Sequence, residues 1–427
     1  MKKYILLGEA RGIGGWQIYC DGRISYMSKE ADKVFFICPP VNEDDIKLKY
    51  IKECSHYKNI HPFHPLTSYS NHQINIVIKQ ILNSIQYQNG DEVVVEATTL
   101  NNTLWAEKLS ETTAGMAFCF VLHSHIGKLH PSLVDFYWHK YNQRLLAGMT
   151  YLTLQEIFEG AHELTKVQSY SFNAIGRAPL TNEKLNIDDI AAIKRYKQNK
   201  SKIIGYFGSL NKPHIIPLCD CLINFARTHK EDCFLFVFIG SSSKGDKEKI
   251  MKRYNKNREN YYFYNVAELF PVPKDLFRVM DVCIGTWGSA RTAAMTGVKT
   301  IRLDNDVNVD AQGIIGITLR NGVYYDEPSG TKSIEDYLNE ILYSDIYDGI
   351  ENNAKTEQAD FIEAQKEINE FLEPFFRNQK NINYYNVTSI GCLNYKDAIL
   401  KGLRVVFGLG FTEFLLNTIK KTYNLFK

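Results

Sequence analysis

Residues 281–303 form the most constraining stretch of the chain, and they read D-V-C-I-G-T-W-G-S-A-R-T-A-A-M-T-G-V-K-T-I-R-L. The pattern predicts a β-α-β unit: an apolar strand, a glycine-flanked turn, a short helix of small residues and a second apolar strand. Gly285, Gly288 and Ser289 allow backbone to pass close to a ligand. The N–H groups that open the helix, with the positive end of its dipole, suit a phosphate. For one such unit alone, an ordinary crossover that binds nothing is the alternative.

The same alternation runs through most of the chain. Predicted strands lie at 4–7, 34–38, 92–96 and 116–123, and later at 203–207, 234–239 and 261–264. Helical patterns separate them, and continuous apolar runs of this kind are typical of parallel strands buried on both faces. The sequence therefore predicts two consecutive doubly wound, Rossmann-like α/β domains facing a cleft, with ligand at the carboxyl ends of strands in both.

A polar stretch between residues 174 and 202 marks the predicted domain boundary. We expect an N-terminal domain at 1–185, a C-terminal domain at 200–376 and an amphipathic helical tail at 390–427. Just before the boundary, residues 131–148 read as one helix, and residues 151–154 and 166–169 read as strands.

The composition excludes several classes of protein. A chain of 427 residues is too long for one core, and its net charge of +2 gives no global attraction to nucleic acid, so no nucleic-acid partner is expected. The nine scattered cysteines are typical of reduced thiols and favour a cytoplasmic location. The N-terminus has too few apolar residues for a signal peptide, and no apolar run reaches the roughly 18 residues that span a bilayer.

Four segments carry a family resemblance. They are Gly14-Gly15-Trp16-Gln17 after the first strand, I-G-Y-F-G-S-L-N-K-P at 204–213, F-I-G-S-S-S-K-G-D at 238–246, and the β-α-β unit at 281–301. Together they resemble the two-domain GT-B glycosyltransferases, especially the GT4-like group of bacterial polysaccharide-assembly enzymes. The resemblance covers most of residues 1–375. It implies a nucleotide-sugar donor in the second domain, an acceptor in the first, no obligatory metal and no separate cofactor.

The resemblance also implies a set of donor-binding residues. Lys212 stands where a basic residue neutralises the donor diphosphate, although a solvated loop lysine is the alternative. Arg291 adds a second positive charge near the phosphate, unless it faces water as most helical arginines do. The complete predicted donor set is Gly208, Lys212, Gly240, Thr286, Trp287, Gly288, Ser289, Ala290 and Arg291.

The predicted catalytic and acceptor-side residues lie in the first domain. His123 and His125 end the strand at 116–123, where either could act as a base on an acceptor hydroxyl, together with Glu9 in the first glycine loop. Polar loop residues without a chemical role are the alternative for all three. The predicted acceptor-side residues are Arg11, Gly14, Gly15 and Trp16.

Two features of the sequence differ from the pattern of the GT4-like group and leave other functions possible. The GT4-like group carries an E-x7-E pair in its diagnostic segment, but Thr292 occupies the second position here and no Glu lies between Glu268 and Glu327. Asp304-Asn305-Asp306 is formally a D-x-D, the metal-binding signature of the GT-A fold, although the two-domain alternation argues against that fold.

We predict a hexosyl-type glycosyltransferase of cell-surface polysaccharide or capsule synthesis, acting on a glycan or a lipid-linked acceptor. The alternative is a catalytically inactive binding or scaffold subunit. An epimerase of the same fold would need a carboxylate acid–base set, which we do not find in the sequence.

The tail at 395–427 is apolar and basic together, with six Lys or Arg residues against two acidic residues. It is too short and polar to span a bilayer, so we predict that it lies in the interface on the inner face of the cytoplasmic membrane. Phe407, Phe411, Phe414, Leu415 and Phe426 would enter the acyl boundary, and Lys401, Arg404, Lys420 and Lys421 would meet anionic headgroups. Docking of an amphipathic helix on the protein itself, or on a second subunit, is the alternative.

Overall fold

The computed structural model describes residues 1–61, 63–122, 129–165, 170–172, 174, 180–182, 188–241, 244–254, 260–266, 269–303, 309–319, 332–350, 357–377 and 382–425. The chain forms two compact units. The first comprises Met1–Ala174 and Glu363–Lys427, and the second comprises Ile175–Ile362. The sequence predicts that residues 363–376 belong to the second domain and that 390–427 form a separate tail, whereas in the structure both segments belong to the first unit.

The first unit is built on a six-stranded parallel sheet. Its strands are β1 (Lys2–Leu7), β2 (Lys33–Ile37), β3 (Ser55–His56), β4 (Glu92–Ala97), β5 (Met116–Val121) and β6 (Leu146–Gly148). Their spatial order is β3-β2-β1-β4-β5-β6. The helices between them are α1 (Gly15–Met27), α2 (Lys49–Cys54), α3 (Asn71–Ser84), α4 (Leu100–Thr113), α5 (Pro131–Asn142) and α6 (Tyr151–Phe158).

The second unit repeats this topology. Its strands are β7 (Leu180–Thr181), β8 (Lys202–Phe207), β9 (Phe234–Ile239), β10 (Tyr261–Val266), β11 (Val272–Pro273), β12 (Val282–Gly285), β13 (Thr300–Leu303) and β14 (Ala311–Ile314). The main sheet has the order β10-β9-β8-β12-β13-β14, and β7 pairs separately with β11. Only β14 runs antiparallel to its neighbour in the described part of this sheet. The helices are α7 (Asp188–Gln198), α8 (Ile215–Thr228), α9 (Lys244–Tyr254), α10 (Lys274–Arg278), α11 (Trp287–Ala294) and α12 (Ile334–Tyr343).

The apolar composition of the strands explains why both sheets are mostly parallel and covered by helices on both faces. Every residue of β5 and of β9 is buried, as expected where helices cover both faces of a parallel sheet. In each sheet the strand order reverses at one switch point, between β1 and β4 in the first unit and between β8 and β12 in the second. The predicted doubly wound α/β architecture is confirmed, and ligands of such sheets bind at the carboxyl ends of the strands beside the switch point.

Two predicted elements near residue 150 are wrong. The predicted helix at 131–148 ends at Asn142, because Arg144 adopts a left-handed φ of 59° and the chain then enters β6. Residues 151–154, predicted as a strand, instead begin α6, since the Thr150 hydroxyl accepts the backbone N–H of Thr153 at 3.2 Å and caps the helix. This capping outweighs the strand-like composition. The predicted strand at 166–169 lies outside the described residues.

Two C-terminal helices return to the first unit. They are α13 (Glu357–Arg377), which begins before the unit boundary, and α14 (Tyr395–Leu425). Within the first unit, the ring of Phe371 packs against the rings of Phe118 and Tyr170. Among the described residues, no helix is long and apolar enough to cross a membrane.

Residues 384–385, between α13 and α14, are held against the rest of the first unit next to a buried ion pair. The Lys140 Nζ lies 2.7 Å from the Glu107 Oε2, and both side chains are fully buried. The backbone N–H of Tyr385 donates to the other Glu107 oxygen at 2.8 Å, and the Tyr384 hydroxyl donates to the Gly115 carbonyl at 2.7 Å. A buried carboxylate is stable only when its oxygens have partners, so α4, α5 and residues 384–385 depend on one another.

Candidate functional site

Two glycine loops meet at the carboxyl edge of the second sheet. Gly208 follows β8 and Gly240 follows the neighbouring strand β9. The Gly208 N–H donates to the Ile239 carbonyl at 3.0 Å, and the Leu210 N–H donates to the Ser241 carbonyl at 2.9 Å. A Cβ on Gly240 would lie 2.0 Å from the Gly208 carbonyl oxygen. The loops therefore touch backbone to backbone, and position 240 has no room for a side chain.

The turn between β12 and α11 lies on the other side of β8. A Cβ on Gly285 would lie 3.1 Å both from the backbone N of Ala290 and from the carbonyl oxygen of Phe207, so glycine brings helix and strand close together. The N–H groups of Ser289 and Ala290 donate to the Thr286 carbonyl at 3.1 and 3.3 Å. The positive end of the α11 dipole lies at this turn.

The predicted basic residues occupy different environments. Lys212 is half-buried in the loop that also contains Gly208. Arg291 is only 1 % exposed, so it does not face water. The structure places both in the second unit, and it brings Gly208, Gly240 and the Thr286 turn to adjacent strand ends.

Arg302 is a residue that the sequence analysis missed. It lies on β13, directly opposite Gly285 in the strand register, and its side chain is fully buried. Its guanidinium carbon stands 5.1 Å from the centre of the Trp287 ring, which is a cation–π geometry. Trp287 itself has a left-handed φ of 47°, which is unusual for a bulky residue. A lone arginine between Ile301 and Leu303, in a strand next to a phosphate-type turn, was the signal available in the sequence.

Thr292 occupies the place where the GT4-like group has its second Glu. Its side chain is fully buried, and its hydroxyl donates to the Gly288 carbonyl at 2.8 Å, one turn earlier in α11. A glutamate at such a position would require partners to offset its desolvation. Thr292 therefore faces the interior, and its hydroxyl is bonded within its own helix.

Trp16 marks the switch point of the first sheet. Gly14 is the N-cap of α1, Gly15 is its first residue, and the indole N–H of Trp16 donates to the Thr98 hydroxyl just beyond β4. The side chain of Asn102 donates to the Leu7 carbonyl at the end of β1, at 3.2 Å. The start of α1 is thus held at the carboxyl ends of the two strands that flank the switch point.

Glu9 and Arg11 follow β1 in the loop before α1. Arg11 is 57 % exposed, with its Nε 3.7 Å from the Asp45 carboxylate. Burial, together with the charge of Glu9, raises the pKa of the Cys38 thiol to about 12, so Glu9 lies near the end of β2. The predicted catalytic residues His123 and His125 and the D-x-D at 304–306 lie outside the described residues. Within the described residues, no group of three or more His, Cys, Asp or Glu side chains is arranged to hold a metal.

Comparison with known proteins gives a match in structure but not in sequence. No protein-family model matches the chain, and no curated protein matches it. The structure is similar to HepE from Anabaena in complex with UDP and glucose, at 12 % identity and a TM-score of 0.57, over 87 % of this chain and 99 % of that one. It is also similar to a glycosyltransferase from Rickettsia africae, at 10 % identity and a TM-score of 0.59, over 87 % and 98 % of the two chains.

A third similar structure is the trehalose-6-phosphate synthase OtsA, at 12 % identity and a TM-score of 0.53, over 90 % of this chain and all of that one. Similarity at these identities is informative about the fold. The chain has the two-domain GT-B fold, as the sequence analysis predicted. The narrower GT4-like grouping stays a prediction.

Proposed function

We propose that this chain is a glycosyltransferase that takes its sugar from a nucleotide-sugar donor bound to the second unit. The observation that carries the proposal is the backbone contact between Gly208 and Gly240, beside the Thr286 turn, at the switch point of the second sheet. Glycines at adjacent strand ends, next to a helix start, leave backbone that a diphosphate can approach closely.

The proposed chemistry is charge stabilisation. The bond between the anomeric carbon and the diphosphate breaks as the acceptor hydroxyl attacks, and negative charge grows on the leaving nucleoside diphosphate. The positive end of the α11 dipole, at the turn of residues 286–290, and the Lys212 ammonium would stabilise that charge. Arg291 and Arg302, both buried, add positive potential near the start of α11. His123, His125 and Glu9 stay our candidates for the base that accepts the hydroxyl proton.

The class of donor can be narrowed for testing. The similar structure of HepE contains UDP and glucose. We therefore take UDP-hexoses as the first donors to test on this chain, which is consistent with the predicted hexosyl type. The acceptor would be bound in the first unit near Trp16, whose indole is held at the strand edge by Thr98.

We also propose that the acceptor is a glycan or lipid-linked glycan of cell-surface polysaccharide synthesis, and that the protein works on the cytoplasmic membrane surface. The support for this location is the exposed apolar part of α14, where Phe407, Phe411 and Phe414 are each more than half exposed. An enzyme at the membrane would meet a lipid-linked acceptor where that acceptor is confined.

A second candidate function is that of a catalytically inactive glycosyltransferase-like subunit that binds partners. The specific observation in its favour is Thr292, which places a hydroxyl bonded to its own helix where the GT4-like group has a carboxylate. Such a subunit could retain the fold without transferring sugar.

A thermal-shift screen of the full chain against UDP-, GDP- and CMP-sugars distinguishes the two functions. A donor present at about 100 times its Kd should add about 2.7 kcal/mol to the free energy of unfolding. The best donor is then incubated with lipid-linked acceptors, and released nucleoside diphosphate is measured. Stabilisation followed by release supports the transferase, whereas no shift with any nucleotide sugar contradicts it.

A further inference from the structure

A turn inside α14, residues 404–414, has an unusual surface, and we name it the reversed-polarity turn. Its backbone leaves the helical conformation at Gly408, with φ 80° and ψ 167°. In this turn both charged side chains are buried, whereas five of the six large apolar side chains are exposed and only Leu409 is buried. Water-soluble surfaces have the opposite arrangement.

The buried side of the turn is ionic. The Arg404 Nη2 lies 3.0 Å from the Glu413 Oε1, so the pair joins the two halves of α14 across Gly408. The Arg404 Nη1 donates to the Ser68 carbonyl at 2.9 Å, and the guanidinium lies 4.0 Å from the centre of the Tyr69 ring. The prediction that Arg404 meets lipid headgroups is therefore wrong, because this side chain is fully buried and anchors the turn to its own unit.

The outer side of the turn is apolar over a wide arc. The exposed fractions are 62 % for Val405, 72 % for Val406, 54 % for Phe407, 53 % for Phe411 and 65 % for Phe414. Three consecutive helical residues are about 100° apart and so point over an arc of about 200°. A helix that packs on a protein partner typically presents a stripe of about 100°. A lipid interface surrounds an inserted segment on several sides, so it can cover this wide arc more completely than a single protein surface can.

We infer that the reversed-polarity turn inserts into the acyl boundary of an anionic lipid bilayer. Charge complementarity supports a lipid with anionic headgroups. Of the two acidic residues in α14, Glu413 is paired with Arg404, and Asp397 is 3 % exposed and accepts the Thr67 hydroxyl at 2.8 Å. Lys396 is exposed and Lys401 is half-buried, so the accessible charge that precedes the turn is positive.

This inference rests on the proposed membrane location and specifies how it is achieved. The Arg404–Glu413 pair holds the two helical halves so that Phe407 and Phe411 stand together, with ring centres 5.5 Å apart. An apolar projection of this kind enters the interface to a limited depth and does not need to cross the bilayer.

The test is flotation of the full chain with vesicles of phosphatidylcholine and phosphatidylglycerol. The double variant Val406→Asp/Phe411→Asp changes two exposed side chains, so its thermal midpoint should equal that of the wild type. We expect its partition onto these vesicles to fall at least tenfold. The matched control is the double variant Ile346→Asp/Ile350→Asp, which introduces the same two charges at residues of the second unit that are 59 % and 48 % exposed, and should float like the wild type.

Equal flotation of the double variant and the wild type would overturn the inference, as would a wild type that does not float. Sedimentation without vesicles tests a second copy of the chain as the occupant. A wild-type dimer that the double variant converts to a monomer, with no flotation, would assign the surface to self-association and also overturn the inference. The thermal shift with nucleotide sugars is recorded on the same samples, so that loss of donor binding and loss of membrane binding are distinguished.

Discussion

The carbonyl oxygen of Gly208 occupies the position that a side chain on Gly240 would need, since a Cβ there would lie 2.0 Å from it. Gly240 also has a φ of 149°, which L side chains rarely adopt. Two independent restraints thus require glycine at the loop that follows β9. The loops after β8 and β9 can approach only because of this residue.

Replacement of Gly240 by alanine should destabilise the second unit and weaken donor binding. Steric overlap with backbone and the unfavourable φ together should cost about 2–4 kcal/mol of unfolding free energy, measured by denaturant titration. The matched control is Gly349→Ala, where φ is 74° but no atom lies within 4 Å of the added Cβ. Only the backbone cost of about 1–2 kcal/mol applies there. Equal losses in the two variants would show that the loop contact does not matter.

The sequence predicts most of the fold because parallel strands such as β5 and β9 are continuous apolar runs bounded by glycine or polar turns. It fails at residues 142–154, where a left-handed Arg144 and a capping Thr150 decide the boundaries. One left-handed residue or one helix cap hardly changes the hydrophobic pattern of a sequence, so that pattern does not predict where such an element begins or ends.

The site is predicted less completely. Glycine loops are visible in the sequence because they directly follow apolar strands, so the positions of Gly208, Gly240 and the Thr286 turn at strand ends could be predicted. Their role in donor binding stays a prediction. Arg302 is missed because a charged residue interrupts the apolar pattern of a strand and so does not look buried. Only the strand register, in which Arg302 lies opposite Gly285, shows that it is close to the Thr286 turn. Arg404 is misread for a related reason, since a basic residue beside apolar ones indicates a membrane contact unless its buried partner Glu413 is known.

Lys212→Ala should lower turnover with a nucleotide-sugar donor by about 10²–10³-fold, because one charge that stabilises the leaving diphosphate is lost. The thermal midpoint of the variant without donor should stay close to that of the wild type. Lys249→Ala is the matched control, since Lys249 is a 70 % exposed lysine of α9 in the same unit, and its turnover should be unchanged. Wild-type turnover in Lys212→Ala would remove Lys212 from the site.

Lys140→Met should destabilise the first unit by about 3–5 kcal/mol, because it leaves the buried Glu107 carboxylate without its cation. Denaturant unfolding measures this loss. Lys108→Ala breaks the neighbouring pair with Glu111, whose carboxylate side chain is 41 % exposed, and should cost less than about 1 kcal/mol. Similar losses in both variants would contradict the role assigned to the buried pair. Adding Glu107→Leu to Lys140→Met should recover part of the loss, since no unpaired charge then remains.

A fall in pH should destabilise α14, because the Glu413 carboxylate becomes protonated. Burial acts to raise the pKa of Glu413, but the hydrogen bond and charge of His64, followed by those of Arg404, outweigh it, so the pKa lies below the usual 4.5. A lowered carboxyl pKa stabilises the fold above the unfolded value, and the stabilisation is lost as the pH falls through the folded value.

We therefore expect amide exchange in the described part of α14 to accelerate as the pH falls below about 4.5, beyond the intrinsic pH dependence of exchange. Glu413→Gln should exchange faster than the wild type at neutral pH and should lack this acid-dependent step. Glu370→Gln, at a side chain of α13 that is 64 % exposed, is the matched control and should behave like the wild type. The same acid-dependent step in Glu413→Gln would show that another group is responsible, and the Arg404–Glu413 pair would then not be what holds the reversed-polarity turn.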